Sequence, residues 1–404
     1  MGKIITVFSH KGGVGKTTLV HNIGFLAANR GKKILLIDAD SQMNLTSAIA
    51  EMSTGTSYSE TSSAWCQFLA GNTNFALFLK SVTTGSLVTN FYQKPAIYRY
   101  NRAHRKTQYR NTIQAGDCEF FANGGQLHLI PSSIGYNSND LSGGAALSTL
   151  PKIEFQLANL VSNPEGFSSN IIYQLHSAIS SLKERYDYIL IDTAPNASSI
   201  LNGLLLFSSD YFIVPTKPDF FSLQAIDNLS DVFLNWSSLF KPWFTTPNHI
   251  GLKFPRFVGV VPQMTKRFSD DIEDEDVGYA EHSQEWITHI NTSILRFLQS
   301  YREKYEHYRI GQTIDYETSW FKSIFPESEP FIIQECVHFT GKLRTVAEHA
   351  GVPVAFLNNA IGKEHNFDIA AFDNTDNSST NQYAMAFRAI TSEYNYIVDG
   401  LITL

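Results

Sequence analysis

The 404-residue chain carries 31 Lys and Arg against 38 Asp and Glu, and its 43% hydrophobic and 17% charged content is that of an ordinary globular protein. Wholesale disorder, a collagen-like repeat and a coiled coil are thereby excluded. The formal charge of −7 provides no net field toward nucleic acid or an anionic membrane, and Cys66, Cys118 and Cys336 are too scattered for a disulfide framework or a cysteine zinc site.

From the N-terminus, residues 3–9 and 33–38 are short apolar runs that predict strands. Between them, 17–30 has helical spacing and stops at Gly31, so the opening is a strand-loop-helix-strand unit. Residues 47–126 show no clear period and are first Ser/Thr-rich, then basic. Further strands are expected at 127–130, 188–192, 211–215 and 257–261, with a helix over 171–185. Residues 265–325 again lack a clear period, 363–381 read as a polar loop, and a last helix is expected over 382–398. Short strands separated by helices predict an α/β fold, a mostly parallel sheet with helices on both faces. The whole of 1–404 reads as one domain, with 47–126 and 265–325 as insertions. No apolar run approaches the roughly 18 to 20 residues that span a bilayer, so no membrane association is expected and the expected location is cytoplasmic.

Charge is distributed unevenly. Between Glu60 and Asp117 there is no acid, while Lys80, Lys94, Arg99, Arg102, Arg105, Lys106 and Arg110 make this segment +7 and leave the rest at −14. Between Asp270 and Glu285 there are eight acids and no Lys or Arg. Tyr92, Tyr98, Tyr100 and Tyr109 interleave with the basic side chains, a mixture suited to phosphate contact and base stacking. Nucleic acid on the stretch from Lys94 to Arg110, an acidic protein surface, and a solvated loop all stay open as readings.

Lys11-Gly12-Gly13-Val14-Gly15-Lys16-Thr17-Thr18 lies between a strand and a helix, the context of a phosphate cradle. The glycines allow backbone N–H groups to turn onto phosphate oxygens, Lys16 reaches the β- and γ-phosphates, and the Thr17 hydroxyl is placed for Mg²⁺. A strict G-x-x-x-x-G-K-[ST] pattern would need Gly at His10, so this is a P-loop variant with an extra lysine, Lys11. Asp192 ends an apolar run, at the strand edge where a carboxylate orders Mg²⁺ or its water. Asp38 ends another and is grouped with Thr17 and Asp192 as metal-holding. A carboxylate in the Asp38-Ala-Asp40 stretch can orient the water attacking the γ-phosphate; for Asp40 the alternative is a helix cap, and for Asp38 a structural bond to loop backbone. His10 and His21 read as packing or loop residues.

The P-loop variant, then Leu-Leu-Ile-Asp-Ala-Asp-Ser-Gln, then Tyr-Asp-Tyr-Ile-Leu-Ile-Asp-Thr-Ala-Pro195, resembles the ParA/MinD ATPases with a deviant Walker A motif, closest to the ParA branch. The likeness extends to Leu-His-Leu-Ile-Pro-Ser-Ser133, Asp-Tyr-Phe-Ile-Val-Pro-Thr-Lys-Pro-Asp219, Gly-Val-Val-Pro-Gln-Met264 and Ala-Gly-Val-Pro-Val-Ala355. It implies a P-loop NTPase fold and a slow, partner-stimulated Mg²⁺-ATPase that forms a homodimer on binding ATP. In it Lys11 reaches the partner's phosphates, Asp40 positions the hydrolytic water and Asp192 supports Mg²⁺. Pro215, Gln263 and Met264 are implied near adenine, with Gln263 where Thr or Asn is usual and Ser41 where Pro is usual. The implied function is a dimerisation switch for partitioning or positioning DNA or cargo. The alternative is an ATP-gated regulatory or assembly subunit that does not bind DNA. DNA-binding relatives tend to carry basic residues in the helix after Asp219, whereas 219–240 contains neither Lys nor Arg.

Overall fold

A computed structural model describes residues 1–54, 98–99, 124–130, 132, 154, 157–158, 168–245, 252–265, 281–307, 318–337, 342–350, 352–357 and 382–404. Most of the basic segment, with Lys94, Arg102, Arg105, Lys106 and Arg110, lies outside these, as does the acidic run over 270–280.

The strands are β1 (Lys3–Val7), β2 (Lys33–Asp38), β3 (Tyr98–Arg99), β4 (Gln126–Ile130), β5 (Tyr188–Asp192), β6 (Tyr211–Thr216) and β7 (Arg256–Pro262). They form one sheet in the order β3-β4-β2-β5-β1-β6-β7, parallel except for the two-residue β3 at the edge. The side chains of the six parallel strands are buried nearly throughout, because helices cover both faces and these strands therefore read as mostly apolar runs. The helices are α1 (Lys16–Asn29), α2 (Asn44–Thr54), α3 (Ser168–Ser181), α4 (Ile200–Phe207), α5 (Phe220–Asp227), α6 (Leu229–Thr245), α7 (Glu281–His307), α8 (Thr318–Ile324), α9 (Lys342–Ala350) and α10 (Gln382–Leu401). On one side α1 packs with α2 and α10, and α9 packs with α2; on the other, α3 meets α4, and α4, α5, α6 and α7 form a contiguous layer.

Register sets up the site. Val7 pairs with Asp192, and Asp192 with Asp38, so two carboxylates stand side by side where the central strands end. The loop from β1 into α1 emerges beside them, at the crevice where open α/β sheets bind ligands. Away from this end, Phe207, Phe212, Phe233, Phe257, Phe297 and Tyr301 pack edge-on, tilted and, for Phe297 and Tyr301, stacked, with centroids 5.0–6.3 Å apart, joining α4, β6, β7, α6 and α7 into an aromatic core.

One expectation is corrected: the 265–325 stretch contains a 27-residue helix, α7. Its buried Ile287, Ile290, Ile294, Phe297, Leu298 and Tyr301 recur at helical spacing, but the intervening residues are polar enough to hide the stripe. Among the described residues no helix is long and apolar enough to cross a membrane.

Candidate nucleotide site

The loop before α1 turns on two glycines with positive φ, Gly13 (69°) and Gly15 (88°), a conformation other residues adopt only with strain. No side chain caps α1, so its first backbone N–H groups are left for a ligand, and the helix dipole favours an anion there. Below the loop lies a cavity of about 790 Å³ lined by Gly12, Gly13, Gly15, Lys16, Thr17 and Thr18 on this side and by Asp40 and Gln42 on another. Val14 is buried.

Lys16 is buried and its Nζ donates to the Lys11 carbonyl at 3.0 Å, folded back over its own loop. Burial lowers its pKa, and Asp192 and Asp40 oppose the shift. Thr17 Oγ1 donates to Asp192 Oδ2 at 2.7 Å. The other oxygen, Asp192 Oδ1, is buried without a hydrogen-bond partner among the described residues. Burial, reinforced by the Asp38 charge, raises the Asp192 pKa well above the ordinary range. An orphaned carboxylate oxygen beside a threonine hydroxyl is the hard-oxygen donor set that suits Mg²⁺.

Asp38 is placed differently. Its Oδ1 accepts from the Asp40 amide at 3.1 Å, and its Oδ2 accepts from the Thr46 amide at 2.8 Å and the Thr46 hydroxyl at 2.6 Å. Burial outweighs these three donors and holds its pKa up at about 7. Both oxygens are engaged in tying the loop after β2, so Asp38 offers less to a metal than Asp192 does. Asp40 lines the cavity and accepts from the Gln42 amide at 2.9 Å, with its pKa raised by burial. It does not cap α2, which begins at Asn44.

Lys11 does not line this cavity. Its Nζ donates to Asp219 Oδ1 and Oδ2 at 2.5 and 2.7 Å and to Ser222 Oγ at 3.0 Å, at the start of α5. Burial would raise the Asp219 pKa, but the Lys11 and Ser222 bonds prevail and lower it. Gln263 and Met264 line the far wall, whereas Pro215 lies within β6 in register with Val261 and away from the lining. His21 also lines the cavity, with burial pushing its pKa down to about 3, and its ring packs edge-on against Phe25.

Reading the sequence missed the rest of that wall: Asn22, and from the C-terminal region Arg344, Ala347, Val352, Pro353 and Val354. The Ala-Gly-Val-Pro-Val-Ala355 stretch was the available signal for part of it. Asp219 as the partner of Lys11 had no signal, since the two are 208 residues apart.

Comparison with known proteins adds the following. A family model described as an AAA domain matches residues 2–90 and 145–241. The sporulation initiation inhibitor protein Soj of Bacillus subtilis is 24% identical over 57% of this chain and 64% of its own length. A virulence plasmid ParA family protein of Chlamydia psittaci is 24% identical over 57% of this chain and 62% of its own. The chain thus spans less than two thirds of the length of these curated relatives. Among solved structures, apo McdA of Cyanothece is 17% identical, covering 88% of this chain and 92% of that one, with a TM-score of 0.48.

Proposed function

We propose that the chain is a P-loop ATPase of the ParA/MinD type, as its likeness to Soj and to a ParA family protein supports, and that it is an Mg²⁺-dependent ATP hydrolase whose bound ATP drives homodimerisation. The observation that carries this reading is the convergence of Lys16, Thr17 and Asp40 on one cavity at the uncapped N-terminus of α1, with Asp192 joined to Thr17 by a 2.7 Å hydrogen bond.

In this reading the P-loop amides and α1 hold the triphosphate, and Lys16 exchanges the Lys11 carbonyl for β/γ-phosphate oxygens, neutralising charge as the bond breaks. Thr17 and Asp192 would hold Mg²⁺, which would supply positive charge to the phosphates; Asp38 supports the same edge by fixing the loop that carries Asp40. The Asp40 carboxylate faces the cavity to orient the attacking water. Lys11 leaves Asp219 to reach the partner's phosphates, and a second protein stimulates turnover.

A second reading, an ATP-gated assembly subunit that does not bind DNA, is favoured by one observation. The helical segment 220–240 carries no Lys or Arg among its residues, so it offers duplex phosphates no cationic side chain of its own. DNA binding then falls to the basic segment around Lys94 to Arg110. Sedimentation and ATP hydrolysis, each with and without duplex DNA at low salt, separate the readings. ATP-dependent dimers with DNA retention support partitioning, dimers without it support the assembly subunit, and no Mg²⁺-ATPase activity in either condition refutes hydrolysis.

A further inference from the structure

Among the described residues that line the cavity below the phosphate loop, two carry a fixed positive charge, Lys16 and Arg344. Lys16 is close to Asp192 and Asp40, so its charge is already shared with two carboxylates. Lys11 is turned out to Asp219 and Ser222 and does not line the cavity. A polyphosphate entering the free protomer thus meets one shared ammonium, and Arg344 is the lining cation that the function proposed above leaves unused. The place of Arg344 follows from α9. Leu343, Val346 and Ala347 recur at helical spacing and are buried, and the helix packs against α2 and the turn Val354–Phe356. Arg344, next to Leu343, is exposed, and it shares the cavity wall with Ala347 three residues on, so this flank of α9 borders the cavity. The neighbouring helix α2 gives the same cavity Asn44, Ser47 and Ala48, none of them charged.

Resting on the nucleotide reading above, we infer that Arg344 is a nucleotide-binding residue whose guanidinium donates to phosphate oxygens of the ATP bound in its own protomer. A guanidinium offers a planar fork of N–H donors that matches two phosphate oxygens at once, and it keeps its charge at every working pH. Its exposure at the cavity edge leaves a long side chain free to swing onto the ligand at little desolvation cost, and also leaves the attraction open to screening by salt. Because α9 packs on α2, and α2 continues the loop that carries Asp40, an arginine drawn onto the phosphates links α9, the nucleotide and that loop within one protomer. ATP is then held by the monomer before Lys11 is released from Asp219.

The test is equilibrium binding of ATP to the full chain and to Arg344→Met and Arg344→Lys, each at about 0.05 M and about 0.5 M KCl. Methionine keeps an unbranched apolar stem and removes the charge; lysine keeps the charge and removes the fork. At low salt Arg344→Met is expected to bind ATP roughly tenfold more weakly than the wild type, and Arg344→Lys within about threefold of it. At high salt the gap between Arg344→Met and the wild type should shrink to about threefold or less, because the lost attraction is the screened one. Arg344→Gln, with the same expected losses, keeps the test decisive if Arg344→Met does not fold. Wild-type affinity in Arg344→Met overturns the assignment. A loss that is equal in the Met and Lys variants and unchanged by salt also overturns it, since that pattern belongs to packing of α9 or to stacking on the base. Absence of ATP binding to the wild type overturns the nucleotide reading itself, and is distinguished from these by the wild-type titration alone.

Discussion

At the N-terminal edge of the sheet Asp210 accepts from Lys183 Nζ at 2.9 Å, Lys253 Nζ at 2.5 Å and the Ile4 amide at 2.9 Å. At the C-terminal edge Asp38, Asp40 and Asp192 stand together, Lys16 is close to Asp40 and Asp192, and Asp192 keeps one buried oxygen without a partner among the described residues. Burial pushes both sets toward protonation. Around Asp210 the lysine bonds reverse the effect and its pKa is lowered, whereas Asp38 and Asp192 stay raised, each repelling the other. The first cluster is complete within the chain and acts as a structural clamp. The second is left incomplete by the described residues, and in the function proposed above a ligand that brings positive charge completes it.

Changes at the unfinished end should therefore affect turnover, while changes at the finished end should affect stability. The largest effect is expected for Lys16→Ala, with hydrolysis reduced by about 10³-fold as the charge opposing the β/γ-phosphates is lost. Circular dichroism of this variant should show an intact fold, because Lys16 makes one bond within its own loop. Asp40→Ala is expected to slow turnover by about 10²-fold while leaving ATP bound, so light scattering should find it accumulating as the ATP-bound dimer. Normal turnover in Asp40→Ala would remove that carboxylate from the water-positioning step.

The finished end should respond in the opposite way. Asp210→Asn is expected to cost about 1–3 kcal/mol of unfolding free energy at pH 7, measured by urea denaturation, with nucleotide affinity unchanged. The pH dependence has a definite sign. Because the folded-state pKa of Asp210 lies below its unfolded value of 3.8, its stabilisation is fully present above about pH 4 and lost as pH falls through the folded value. The gap between wild type and Asp210→Asn should accordingly close in acid. A gap that widened as pH fell would contradict the clamp.

The two ends were not equally legible in the sequence. β1, β2 and β5 are mostly apolar runs, and the glycines, Lys16 and Thr17 sit between a strand and a helix, so the phosphate loop could be read locally. That Asp38 and Asp192 stand side by side depends on strand order, which puts β5 between β1 and β2 and leaves no local trace. Tyr394 and Gln263 meet across 131 residues, and α10 shows in the sequence only as a helix, with nothing to mark its tyrosine as the partner of Gln263. The α7 stripe was present but diluted by the polar residues between its buried positions.

The smallest expected effect bears most directly on the central claim, that the C-terminal carboxylates are completed by a metal-nucleotide complex. It is the Mg²⁺ dependence of ATP affinity, measured by calorimetry with Mg²⁺ and with EDTA for the wild type, Asp192→Asn and Asp210→Asn. Removing Mg²⁺ should weaken ATP binding on the order of tenfold in the wild type and in Asp210→Asn, and should have little effect in Asp192→Asn. An equal Mg²⁺ dependence in all three proteins would contradict the account.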